Sequence, residues 1–274
     1  MATLLDQLNP FASAMKSLGA RGVLPTSLDS AGLRQLGAGF HRQNFTSAQT
    51  LLTDLLDQYK DDVGELLNPV TEQRADRITP ENPQGNVTVG INPATARLRA
   101  KELLQRLGYE AAEGERGTLK DLASDRRINL VVKTNTELAQ GAGAFLQGSD
   151  PAVLEAFPCW ELYRLEDRKT ERNWTGRWRI AAQLVGDVDA ARVLDAEGRM
   201  IARKDSPIWQ ALGDGEGGYD DTLGNPYPPF AFGSGMWTRS IAFDEAEALG
   251  LVNLNTQIES PVPDDLAQLF KEAA

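Results

Sequence analysis

Cysteine and histidine are almost missing from this chain: Cys159 and His41 are the only examples among 274 residues. One cysteine forms no disulfide within a chain, so the fold draws no stability from an oxidising compartment. Zinc sites take several Cys or His ligands, and that pool is nearly empty. A Ser-His-Asp or Cys-His nucleophile would have only His41 to use. Long apolar runs are missing too, with none near the ~20 residues that span a bilayer. The N-terminus MATLLDQLNPFASAMKSLGARG lacks the basic start and continuous apolar core of a secretory signal. The sequons at Asn44, Asn86 and Asn173 are therefore read as chance matches. Positive charge is scarce: 28 Lys+Arg stand against 39 Asp+Glu, a formal net charge of −11. Proteins that grip a nucleic-acid backbone leave a basic footprint, and anionic membranes attract cations. Neither partner is expected, and nucleic-acid contact is at most incidental. Carboxylates are plentiful, which leaves a Mg2+ or Ca2+ site open in principle.

What is present suits a folded chain. Hydrophobic residues make up 41% and charged residues 24%, and a chain of this length hides about three quarters of its extended surface. The apolar spacing of Leu4, Leu5, Leu8, Phe11, Met15 and Leu18 is helical, interrupted by Asn9-Pro10, a cap-and-proline pair that starts a second helix. Ser30 is a candidate cap for the next. Phe45, Ala48, Leu52, Leu55, Tyr59, Val63 and Leu66 recur at three and four, an amphipathic helix. Core packing is the plainer role for that face. Phe45, Leu52, Leu55 and Tyr59 are also the candidate anchors for docking on a partner as a helix in a groove. Residues 68–92 hold Pro69, Pro80 and Pro83 among polar residues, with Pro93 just beyond. They read as a linker, a long loop or an arm that orders on a partner. The expected organisation is a helical arm over 1–67, the linker over 68–92, and an α+β body over 93–274 with an acidic C-terminal tail.

Asn92-Pro93 opens a helix that stops at Gly108. Thr118 or Ser124 begins a long helix with the stripe Ile128, Val131, Val132, Asn135, Leu138, Ala139, Ala142 and Phe145. Asn135 interrupts the apolar set and is expected to satisfy a backbone group or to bond across an interface. CWELYRLE reads as a strand, 193–202 as a hairpin, Ser206-Pro207 as the start of a short helix, and Asp244 and Asp264 as starts of two more. The fold class is α+β: a helical N-terminal half whose long central helix packs on a small, mostly antiparallel sheet in the C-terminal half.

Sites of chemistry are hard to find. Gly213, Gly215, Gly217 and Gly218 sit among Asp214, Glu216, Asp220 and Asp221, and those acids repel phosphate, so a flexible loop is expected. Gly233-Ser234-Gly235 does not meet the nucleophile-elbow pattern. RLEDRKTERNWTGRWR at 164–179 mixes Arg168, Lys169, Arg172, Arg177 and Arg179 with Trp174 and Trp178. That mixture could stack single-stranded nucleic acid, but a solvated face with cation–π pairs is the expectation. The stretch PYPPFAFGSGMW reads as a structural clamp. Pro228 and Pro229 stiffen it, Tyr227, Phe230, Phe232 and Trp237 give it an apolar payload, and Gly233 and Gly235 let it turn. Phe230 and Phe232 are expected against the 128–145 helix and the Met200-Ile201 strand, with Trp209 nearby. No residue is assigned a catalytic or metal-binding role, and no cofactor or small-molecule substrate is expected.

Several stretches resemble bacteriophage head morphogenesis proteins, the minor head protein family typified by protein F of phage Mu. They are VLPTSLDSAGLRQLG with FTSAQT within 23–50, ATARLRAKELLQRLGY at 94–109 and LKDLASDRRINLVVKTNTELAQGAGAFLQ at 119–147. AFPCWELYRLEDR at 156–168, GRMIARKDSPIW at 198–209 and YPPFAFGSGM at 227–236 follow in the family's order. The cysteine-rich ending that the family typically carries after its Pro-Pro segment is replaced by Gly233-Ser234-Gly235-Met236, and the histidine that commonly follows the first strand is missing. The resemblance implies a structural, low-copy virion component, made in the bacterial cytoplasm, that associates with the portal protein or major capsid protein in head assembly and in genome delivery. The alternative from another class is a degenerate or metal-dependent nuclease or toxin-like enzyme.

Overall fold

The computed structural model describes residues 10–36, 38–89, 91–167, 171–264 and 266–268. Its N-terminal half is helical: α1 (Pro10–Gly19), α2 (Ser30–Arg34), α3 (Ala38–Gln43), α4 (Thr53–Leu67) and α5 (Pro93–Arg106). A two-residue parallel pairing, β1 (Gly22–Val23) with β2 (Asn44–Phe45), ties the segment together. The central helix α6 (Asp125–Gly148) has 24 residues, about 36 Å at 1.5 Å per residue. Ser124 caps it, its hydroxyl accepting the Arg127 N–H. Asn92 caps α5, accepting from Ala94 and Thr95 at 2.9 and 3.0 Å with Pro93 in the first turn. At α2 the cap is Asp29, one residue before the expected Ser30.

After α7 (Pro151–Ala156) comes the central strand β5 (Cys159–Arg164) of an antiparallel sheet ordered β6-β5-β7. Helices α8 (Trp174–Val185) and α9 (Val188–Glu197) precede β6 (Met200–Arg203). The one-turn α10 (Ile208–Ala211), β7 (Met236–Ile241) and α11 (Phe243–Ala248) complete the body. In register, Trp160 stands between Ala202 and Ser240, and Glu161 between Ile201 and Arg239. Both faces of β5 are covered. Trp160 and Leu162 enter one apolar cluster, while Cys159 joins Val193, Ile201, Ile241 and Ala246 in another.

Helix α6 serves two cores. Its first half gives Ile128, Val131, Val132 and Ala139 to a cluster with Ala14 and Leu18 of α1, Leu55, Tyr59 and Val63 of α4, and Ala100 and Leu104 of α5. Its second half gives Ala142 and Phe145 to the aromatic cluster of the sheet domain. The α+β architecture with a helical N-terminal half follows from this arrangement.

Three expectations change. Residues 10–67 are no free-standing arm, because α1 lies along α6 and α4 packs against both α5 and α6 in one core. Residues 68–92 are no plain linker: β3 (Val70–Gln73) and β4 (Asn86–Val89) pair antiparallel as a hairpin. Its long turn is closed by Asn82, whose side chain accepts from the Asn86 N–H and donates to the Asn86 carbonyl. The stretch 193–202 is a helix end and a strand rather than a hairpin. Gly198 takes the left-handed C-cap of α9 (φ 68°), so the turn signal belonged to a helix terminus. The expected residues Leu4, Leu5, Leu8, Leu269 and Phe270 lie outside the described residues.

Candidate functional site

The clamp is built around Trp209. Its ring packs edge-on to Trp160 and Trp178, with centroids 5.6 and 5.4 Å away, and stacks on Phe230 at 6.3 Å. Its indole N–H donates to the Arg203 carbonyl at 2.8 Å, so a fully buried tryptophan keeps its polar atom satisfied. Tyr227 packs on Phe145 of α6 at 5.1 Å. Pro228 and Pro229 are buried and joined by a cis bond. The Pro228 carbonyl sits against Gly141 of α6, where any side chain would collide with it. Gly233 and Gly235 adopt φ of 53° and 66°, the left-handed turn that glycine admits freely. The Gly235 carbonyl accepts from Leu165 and Glu166, fastening the segment to the end of β5. The expectation for Phe232 is corrected: it is only half-buried and stands at the wall of a cleft, while Phe230 takes the core position between Trp209 and Trp174.

The partner-binding face expected on 45–59 is also corrected. Phe45, Leu55 and Tyr59 are buried and Leu52 is half-buried, all in the N-terminal core, and Phe45 belongs to β2 rather than to the helix. A stripe spaced at three and four marks a helix face that is covered, and here α5, α6 and α1 cover it. Tyr59 keeps its hydroxyl without a hydrogen-bond partner, and burial pushes its pKa up.

In the described part of 164–179 the tryptophans are core residues. Trp174 and Trp178 are buried. Arg177 lies 3.9 Å over Tyr219 and 5.0 Å over Trp174 and grips Asp221 through two bonds of 2.8 and 2.9 Å. Arg172 adds a second pair to Asp221 at 3.0 Å. Burial pushes the Asp221 carboxyl up, but the Arg177 bonds and the charges of both arginines outweigh it and hold it below its ordinary value. Of the acids around the glycine loop, Asp221 thus finds its cations inside the molecule.

The cleft that sequence reasoning missed lies where α2, α3 and the chain through residue 48 face α6 and the 210–232 segment, with a volume of about 390 Å³. Arg21, Arg34, Arg127 and His41 line it, and Asp214 is the one carboxylate among the described residues of its lining. Arg21 is 2% exposed, and its Nε has no hydrogen-bond partner. Arg127 is fixed by neutral oxygens: the Ser47 hydroxyl at 2.6 Å, the Thr50 hydroxyl at 3.3 Å and the Ala48 carbonyl. His41 bonds the Leu33 carbonyl through Nε2 at 2.9 Å. Burial, helped by the Arg21 charge, pushes its imidazole below the ordinary pKa. Asn135 donates to the Val131 carbonyl one turn back, as its place in the stripe suggested, and its side chain meets the same cleft. No periodicity in the sequence links Arg21 to Arg127. Only the parallel pairing of β1 with β2 and the packing on α6 bring them to one wall.

Two further buried groups belong to the sheet domain. Lys204 is fully buried, donates to the Gly148 carbonyl at 2.8 Å and lies 5.1 Å from the Trp160 ring centre. Burial lowers its pKa to about 8. Cys159 is fully buried and its thiol is pushed up to about 12, chiefly by burial. Among the described residues no group of three or more His, Cys, Asp or Glu is placed to hold a metal ion. None of their helices is long and apolar enough to cross a membrane. No family model, characterised protein or solved structure matches this chain.

Proposed function

We propose that this chain is a structural minor head protein of a tailed bacteriophage, carried in the virion and docked on the portal protein or the major capsid protein during head assembly. The observation that supports the reading is the ordered set of head-morphogenesis-like segments, five of which carry main elements of the fold. The stretch 94–109 contains most of α5, and 119–147 contains nearly all of α6. The strand segment 156–168 carries β5, 198–209 carries β6, and 227–236 is the clamp that joins α6 to the sheet. The buried aromatic junction gives the body a rigid frame, as a particle component needs, and the reading assigns it no catalytic step.

The test is co-purification from particles. The chain, expressed in its host with the portal subunit, should co-elute with portal oligomers on size exclusion. It should also be found by quantitative mass spectrometry in purified heads at far fewer copies than the coat protein. Its absence from both fractions, or Mg2+-dependent cleavage of DNA or RNA that a single carboxylate substitution abolishes, would overturn the reading.

A further inference from the structure

We propose that the cleft lined by Arg21, Arg127 and α6 binds a small organic anion, a carboxylate or phosphate carried on an apolar body. This goes beyond the head-protein reading and does not rest on it.

Charge points to the anion. In a chain of formal net charge −11, this one cleft gathers three arginines and the only histidine against a single aspartate. The Arg21 guanidinium is almost wholly withdrawn from bulk water, its Nε is unpaired, and no carboxylate pairs with it among the described residues. A buried charge without a counter-charge costs several kcal/mol, and proteins rarely keep one that serves nothing. An anion in the cleft supplies the missing counter-charge, and guanidinium N–H groups match carboxylate and phosphate oxygens. Arg127 is oriented in advance. Ser47, Ala48 and Thr50 hold its guanidinium through neutral oxygens, which fix its direction without cancelling its charge.

Shape and lining give the rest of the ligand. Leu33, Leu36, Leu130, Leu138 and Phe232 make the other walls apolar. A volume near 390 Å³ falls in the range of small-molecule sites, too small for a folded domain. Thr134 and Asn135 add hydroxyl and amide groups along the α6 wall. Phe232 thereby has a position that clamp packing leaves unexplained: it is the one clamp aromatic turned to the cleft.

The test uses the purified full-length chain and five probes: phenyl phosphate, phenylacetate, inorganic phosphate, acetate and the neutral phenylacetamide. One or both aromatic anions should raise the melting temperature saturably and give a calorimetric isotherm. The better of the two identifies the headgroup. The bare anions and the neutral amide should do neither at the same concentrations. Arg21→Met should weaken binding about tenfold to a hundredfold, the worth of a charge-assisted hydrogen bond. The same variant should unfold at a higher denaturant concentration, because an unpaired buried charge is gone. Leu130→Trp, at a wall position that is 39% exposed, should block the apolar part and abolish binding without touching an arginine. Silence from both aromatic anions would overturn the proposal. So would equal binding by Arg21→Met, or an equal response to inorganic phosphate or acetate alone.

Discussion

Gly141 on the central helix and Pro228 in the clamp are in backbone contact: a Cβ on Gly141 would lie 2.8 Å from the Pro228 carbonyl carbon and closer still to its oxygen. Helix and clamp touch through backbone because the helix offers no side chain there. Gly141→Ala would normally help a helix by about 1 kcal/mol. Here it should destabilise the chain by about 3 kcal/mol, the upper end of overpacking costs. A lowered denaturant midpoint with an unchanged slope checks this, and an unchanged midpoint would refute the contact.

The two clamp phenylalanines should behave differently. Phe230 is fully buried against Trp209 and Trp174, so Phe230→Ala should cost about 3–5 kcal/mol. Phe232 is half-buried at the cleft wall, and Phe232→Ala should cost about 1 kcal/mol. Equal losses in parallel urea titrations would show that both serve the core.

Lys204 sets a pH dependence. Its folded pKa of about 8 lies below the ordinary 10.5. Between those values the unfolded chain holds a proton that the folded chain has released, so this group makes stability rise with pH. Cys159 acts with the opposite sign from about pH 9, since its folded thiol titrates near 12. The clean window is pH 8 to 9, where wild type should gain about 1 kcal/mol relative to Lys204→Met. Denaturant midpoints of the two proteins at matched pH give the difference, and a flat difference would rule out a depressed Lys204.

Cys159 reports unfolding. It is fully buried with a thiol held almost wholly protonated at neutral pH, and thiolate is the reactive form. A disulfide reagent at pH 8 should leave the native chain unlabelled for hours and react within minutes in 6 M guanidinium. Rapid labelling of the native protein would mean that the sheet opens around the Cys159 end of its central strand β5.

The helices that carry caps could be read from residues alone. Asn92-Pro93 and Ser124 specify their helix starts through short-range chemistry, and the stripe from Ile128 to Phe145 is long enough to leave no doubt of period. The strand at Cys159–Arg164 showed for a similar reason, being β-rich and closely bounded. Gly198 misled because a left-handed glycine serves a hairpin turn and a helix C-cap equally well, and only the packing of Ala190, Val193 and Leu194 decides. Phe45 and Leu52 continued a helical spacing across a strand and a turn because both elements bury their apolar residues in the same core. The cleft could not be read at all. Arg21 and Arg127 are separated by more than a hundred residues, and each alone looks like an ordinary surface cation.

The sharing of α6 between two cores also sets an order of events during synthesis. The apolar face of α4, with Leu55, Tyr59 and Val63, is complete once residue 67 has been made, yet its cover on α6 extends to Ala139. At 5–20 residues per second the ribosome needs roughly 4–14 s to supply that cover. For that time the nascent chain carries an amphipathic helix that α1, and later α5, cover only in part. The β3–β4 hairpin is made in the same interval, before the central helix that closes the core.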